Sequence, residues 1–527
     1  MKAARRLFAV TFVMALMFEA LPFSTDPIAM IGWYLHQDIK KWLPIGLPFS
    51  LMELLLLAAA VCWLARGPKE KRTLRYGRGR LTTPVVAFTA AVALGVLWGL
   101  VHGGDNLTFA LFEVRGLAML VFAYLLVGML FREDRDLGPL IWCMLIACAG
   151  LALQDLYRYF FIYSRSITSD LMFEHEDSLI LAFGAVLCLT LLAFNGTRLQ
   201  RRWSLLLFPV FLVCLAVMRR RAAWPVLIIG LVVLAIMLLR ARPKVFWRVV
   251  PVVALLGIAY LGIFWNSNSA LGQPARAVRS QISPDPRDAS SDLYRQIEHY
   301  DIIANIRSSR VLGLGFGQPY IFYESLPDLS FWPFWHYESH NSVLWLWMDG
   351  GIPVFFTFMW LAGAALASGG QELNARREVW TPQFLTMLRA RRRGGARASG
   401  STPARASYAD LARRAPAHVA AGGMAGSASS GISKLDIRAH AASTALLVAA
   451  VCFIPMQIVY SYVDLGLINP RDMLLYGVAL GIVGRSFTNQ PVASRSPRPG
   501  GRARKIPAAP DATPPRPAGP LVAAPSR

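Results

Sequence analysis

His340 and Asn341 stand where a long polar stretch runs into an apolar one, in Glu338-Ser339-His340-Asn341-Ser342-Val343-Leu344-Trp345-Leu346-Trp347-Met348-Asp349-Gly350-Gly351-Ile352-Pro353. An imidazole titrates near neutral pH, which makes His340 a titratable group at this position. Polar groups at the mouth of a membrane span are costly and usually functional. The plain alternative is a capping or packed histidine. A second set of residues is cationic. Arg219-Arg220-Arg221 follow one apolar run, Arg295 lies in Ser291-Asp292-Leu293-Tyr294-Arg295-Gln296-Ile297-Glu298, and Arg115 lies in Phe112-Glu113-Val114-Arg115-Gly116. Guanidinium groups present a rigid fork to phosphate oxygens. The Arg219-Arg220-Arg221 cluster suits binding of an anion; the plain alternative is a miscounted span or three solvated side chains. The bland reading of Arg115 is a snorkelling side chain partnered by Glu113 or Glu176.

Two other patterns carry less chemistry. Glu174-His175-Glu176-Asp177 has metal-ligand residue types. Adjacent residues on a helix point to different faces, so no metal is expected there. Gly313, Gly315 and Gly317 invite a dinucleotide reading, but no strand run precedes them and no helix follows. They are expected to permit a tight turn or close approach to a ligand. Around Leu293, Ile297 and Tyr300 the i, i+4, i+7 spacing predicts a helix, with Arg295 on another stripe. No cofactor is implied.

The elements that must position these residues are membrane spans. The chain has 527 residues, 55% of them hydrophobic and 16% charged, with a mean hydropathy of +0.44. That composition indicates an all-α polytopic integral membrane protein. The net charge of +23 is spread over short loops and two polar segments, which suits the positive-inside rule better than nucleic-acid binding. All six cysteines fall in apolar runs and read as packing residues. Apolar stretches at 7–23, 48–65, 84–102, 112–131, 138–155, 179–195, 204–218, 223–239, 249–266, 342–367, 441–461 and 471–487 are candidate spans, about twelve in all. The N-terminal apolar run reads as a first span rather than a signal peptide.

Charge then sets orientation. Basic loops at 66–80, after Arg198 and after Arg240 fall on one face with the N-terminus, the expected cytoplasm. By the same alternation residues 267–340 and His340 lie outside, as does Arg219-Arg220-Arg221, which breaks the charge rule. The expected organisation is spans one to nine over 1–266, an extracytoplasmic loop with short helices over 267–340 and span ten over 341–367. A basic low-complexity cytoplasmic insert over 368–440, spans eleven and twelve over 441–487, and a disordered basic Pro-rich tail over 488–527 follow. Both basic segments suit anionic membrane lipids.

His340-Asn341-Ser342, then Leu344 and Gly351-Ile352-Pro353, resembles the signature of the O-antigen ligase and Wzy-type polymerase superfamily. That signature is His-Asn, an apolar helix, then Gly-x-x-Gly. Val311 to Gly317 looks like the family's Pro-Leu-Leu-Gly-x-Gly-x-Gly segment, and Tyr294-Arg295 matches its upstream arginine. Arg221-Ala222-Ala223-Trp224 looks like its Ser-Arg-Gly-Ala-Trp at a span start. The departures are Val354 in place of the second glycine and Arg220 in place of the serine. By order of elements the resemblance covers roughly residues 80–365.

The resemblance implies a GT-C-like fold with a large loop between spans nine and ten. It implies a metal-independent glycosyltransferase in the bacterial inner membrane, multi-pass, with cytoplasmic termini and a periplasmic site. The implied donor is an undecaprenyl-diphosphate-linked glycan, and the acceptor a glycan or lipid A-core. It gives His340 the role of general base or orienting group. Arg221 and Arg295, with Arg115 or Arg220 as a third cation, would hold the diphosphate beside Asn341. Ligase, repeat-unit polymerase and protein glycosylation stay open. A transporter or flippase of lipid-linked intermediates is the alternative of another class.

Overall fold

A computed structural model describes residues 2–19, 27–41, 48–65, 81–103, 107–131, 133–162, 175–267, 269–280, 282–327, 334–378 and 434–488. The loop 66–80, Glu174, Arg391 to Arg393 and the C-terminal tail lie outside the described residues. The helices are α1 (Lys2–Met17), α2 (Pro27–His36), α3 (Leu51–Leu64), α4 (Thr82–Gly103), α5 (Leu107–Leu130), α6 (Leu137–Tyr157), α7 (Asp177–Ala193) and α8 (Arg198–Met218). They continue as α9 (Ala223–Ala241), α10 (Pro243–Phe264), α11 (Gln273–Arg279), α12 (Pro286–Ser308), α13 (Ser342–Glu378), α14 (Lys434–Val463) and α15 (Pro470–Thr488).

Among the described residues, each of the twelve apolar stretches lies largely on a helix, α1, α3 to α10, or α13 to α15. Among the described residues eight helices are long and apolar enough to cross a membrane, and α3 and α7 are shorter apolar ones. Local chemistry starts several of them. Ser50 with Glu53 forms a capping box on α3, and Thr197 with Gln200 does so on α8. Pro243 and Pro286 occupy the first turns of α10 and α12, where no amide donor is needed.

The core centres on α14, of whose apolar window 83% is buried. It packs against α7, α9, α13 and α15, while α5 and α15 run together along their length. At the edge, α10 buries none of its side chains and leans on α9.

Helix α13 runs to Glu378, past the span end expected at 367. The reason is internal pairing. Arg376 Nε donates to Glu372 at 2.8 Å and Nη1 to Ser443 Oγ at 2.8 Å, so both charges are buried inside the bundle. Asp134 also gathers Arg376 at 3.3 Å, Arg485 at 2.9 Å and His440 at 3.1 Å. The described part of the expected insert is therefore helix, leaving residues 379–433 outside the described residues. At the opposite ends of the helices, Arg471 pairs with Asp177 at 3.1 Å and donates to the carbonyls of Ala15 and Leu16. Arg158 pairs with Glu19 in the same layer.

Candidate active site

His340 immediately precedes the cap of α13. Asn341 is that cap: its Oδ1 accepts the Leu344 amide at 3.1 Å, and its own amide donates to Ser339 Oγ at 3.1 Å. The Ser342 hydroxyl lies 3.0 and 2.8 Å from the carbonyl oxygens of Ser461 and Asp464, and accepts the Leu467 amide at 3.2 Å. The turn after α14 thus locks the start of α13. Nine residues later α13 kinks at Gly351, whose φ of +64° suits glycine.

The glycine-rich segment seats that kink. Leu314 and Gly315 donate to the carbonyls of Met348 and Asp349 at 2.8 and 2.9 Å, and Ile352 donates to Val311 at 2.9 Å. Gly315 has φ +96°, and a Cβ there would fall 2.4 Å from the Gly99 Cα of α4. These glycines sit in turns and let the segment approach helices α4 and α13 closely.

Helix α12 forms as expected, but a different face is buried. Leu293 and Tyr300 are 57% and 55% exposed, whereas Glu298, Asp301, Ile302 and Asn305 are buried. Polar residues face inward because they hold backbone. Asn305 accepts the Ile321 amide at 3.0 Å and donates to its carbonyl at 2.7 Å. Asp301 accepts the amides of Tyr323 and Glu324 at 3.0 and 2.9 Å. Glu298 does the same for His340, accepting its backbone amide at 3.2 Å and meeting its Nδ1 at 3.1 Å.

Glu298 is 3% exposed and the His340 side chain 31%. Burial disfavours the imidazolium, but the bond and charge of Glu298, with the charge of Asp464, outweigh it and raise the His340 pKa. Arg295 works in the opposite direction. The Tyr294 ring stands edge-on to the imidazole, with centroids 5.5 Å apart. Asp464 itself binds His175 Nδ1 at 2.6 Å. Neither Glu298 nor Asp464 was singled out from the sequence. Glu298 carried one available signal, its place one helical turn from Tyr294-Arg295.

The arginines divide. Arg221 reaches α12, where its guanidinium grips Asp292 through two bonds of 2.7 and 3.1 Å, with Asp288 at 3.5 Å. Arg295, one turn beyond Asp292, lines with it a cavity of about 530 Å³ that also touches Ser280 and Gln296. Arg220 instead acts electrostatically on Asp177 and Tyr460. Arg115 lies elsewhere: its guanidinium binds Glu53 at 2.6 and 2.5 Å and Asp38 at 2.8 Å. Its carboxylate partners are thus Glu53 and Asp38, not Glu113 or Glu176. Glu113 accepts the Gly317 amide at 2.5 Å.

The described part of the acidic run splits three ways, His175 to Asp464, Glu176 to Asn469 and Asp177 to Arg471. These side chains do not converge on one ion. Among the described residues, Glu19, Asp155 and Asp177 bring three carboxylates within 4.8 Å. Arg158 pairs with Glu19 and Arg471 with Asp177, which opposes a cation there.

Fold and site together define a helical membrane protein in which α12 carries Arg295, meets Arg221 through Asp292 and meets His340 through Glu298. A family model described as O-antigen ligase matches residues 205–359, from α8 through the kink of α13. That stretch, which contains Arg221, Arg295, Glu298 and His340, is similar to the O-antigen ligase family. No curated protein matches the chain.

Proposed function

We propose that the protein is a glycosyltransferase that moves a glycan from undecaprenyl diphosphate to an acceptor hydroxyl at the outer face of the bacterial inner membrane. One observation carries this reading. Helix α12 bears Arg295, is gripped by Arg221 through Asp292, and flanks His340 through Glu298. A base and two cations thus meet on one element. In the reaction the acceptor oxygen attacks the anomeric carbon as the bond from that carbon to the phosphate oxygen breaks. The hydroxyl proton passes to His340, and the departing diphosphate leaves with the bonding electrons. Arg295 and Arg221 stabilise that charge, so guanidinium groups do the work a metal does in other phosphate sites. Arg221 binds donor only after exchanging Asp292 for phosphate oxygens.

Finished glycan transferred to lipid A-core and growth of a lipid-linked repeat use this same chemistry, and both acceptors remain within the proposal. The transporter reading has less support, because the paired ionisable side chains sit near helix ends: Arg471 with Asp177 at one end, Arg376 and Arg485 with Asp134 at the other. The test is expression of His340→Ala and Arg221→Ala in a strain lacking the native gene. Both are expected to abolish long-chain surface glycan on a gel at unchanged protein level in the membrane. Full activity of both variants removes this site assignment. Unligated glycan accumulating on undecaprenyl diphosphate indicates a ligase, and bimodal loss of long chains a polymerase.

A further inference from the structure

The carboxylate of Glu298 does more than neutralise a neighbour. It engages His340 twice, through the backbone amide at 3.2 Å and through Nδ1 at 3.1 Å, across 42 positions of sequence. One residue thereby fixes both where the histidine sits and how its ring turns. We propose that Glu298 is the positioning residue of this site, holding the proton on His340 Nδ1 so that Nε2 is the nitrogen presented to the acceptor hydroxyl. This rests on the glycosyl-transfer reading.

Four observations support it. Glu298 is 3% exposed, and a buried carboxylate is costly unless its partner is well placed. Among the described residues Nε2 has no hydrogen-bond partner, and the side chain remains 31% exposed. Tyr294 closes one side of the ring with an interplanar angle of 81°. Asp464, the other acid whose charge reaches His340, already holds His175 at 2.6 Å, so it does not replace Glu298. The groups that face the imidazole are therefore Glu298, Tyr294 and Arg295 from α12 and Asp464 from the turn after α14.

During transfer the hydroxyl proton goes to Nε2 while the Nδ1 proton stays against Glu298, and the resulting imidazolium is stabilised by that carboxylate. Once product leaves, the Nε2 proton returns to water.

The test uses the full chain, purified in lipid or detergent, with lipid-linked glycan donor and its acceptor. Glu298→Gln keeps the shape and an oxygen acceptor but loses the charge. Its kcat is expected to fall about 10²-fold with little change in KM, within the range of an acid–base contribution. The sign of the pH effect is fixed. His340 works when neutral at Nε2, and removing the carboxylate lowers its pKa, so the acid limb of the pH–rate profile moves to lower pH. Glu298→Asp is expected to recover part of kcat and to move the limb back. A Glu298→Gln enzyme with wild-type kcat and pH profile overturns the positioning role. Where Glu298→Gln does not fold, an unshifted acid limb in Glu298→Asp at full kcat overturns it equally. The two failures are distinct: active His340→Ala removes the functional reading, whereas inert His340→Ala with wild-type-like Glu298→Gln removes only the role of Glu298.

Discussion

At the scale of single residues, Arg115 shows how a charge is spent. It lies near the start of α5, and Glu53 and Asp38 take up its guanidinium in bonds of 2.5 to 2.8 Å. A cation so occupied has little left for a diphosphate. Arg115→Ala leaves Glu53 without its guanidinium, and thermal unfolding in detergent is expected to show a loss of about 1–3 kcal/mol, discounted because the pair is partly exposed. Activity per folded molecule stays unchanged. An inert variant with a wild-type unfolding midpoint would instead place Arg115 in donor binding. The types and spacing of His340, Arg295 and Arg221 were legible in the sequence, because His340 and Arg221 stand at the edge of apolar runs and Arg295 lies off the Leu293, Ile297 and Tyr300 stripe. Their partners were not. Glu298 lies 42 positions from His340, Asp292 lies 71 from Arg221 and Glu53 lies 62 from Arg115. Such pairings arise only when helices pack, and no local pattern encodes them.

At the scale of elements, α12 carries both the opportunity and the obstacle. Its acidic residues Asp288 and Asp292 occupy Arg221, while Arg295 on the same helix faces the cavity. In the proposed reaction a donor diphosphate competes with Asp292 for the same guanidinium. Asp292→Asn is therefore expected to lower the KM for donor about fivefold, equivalent to about 1 kcal/mol for a partly exposed pair. A raised KM in steady-state assays would show that Asp292 serves the substrate directly. Elements differ in how openly the sequence announces them. Twelve apolar stretches lie on helices, since a long apolar run has few other ways to satisfy its backbone in lipid. The ten-residue α2 was too short for that signal, and the end of α13 was hidden by Glu372 and Arg376, which read as polar but are buried by pairing. Nor can an apolar periodicity reveal the buried face of α12, where Asp301 and Asn305 point inward to hold backbone.

At the scale of the whole molecule, paired charges secure both ends of the helix bundle. Asp134 joins α13, α14 and α15 by taking Arg376, His440 and Arg485 together. Asp134→Ala strands those groups, and a drop in stability of about 2–4 kcal/mol is expected in thermal unfolding, with activity falling only as the folded fraction falls. Wild-type stability would mean that the three helices are held by apolar packing alone. The contact of Ser342 with the Asp464 carbonyl spans 122 positions, and that of His175 with Asp464 spans 289. During synthesis at about 5–20 residues per second, the histidine's helix therefore emerges roughly 6–24 s before the turn that locks its start. A nascent chain carries His340 through the membrane machinery with that helix still unlatched, and on the proposed function the later hairpin of α14 and α15 sets the clock for activity.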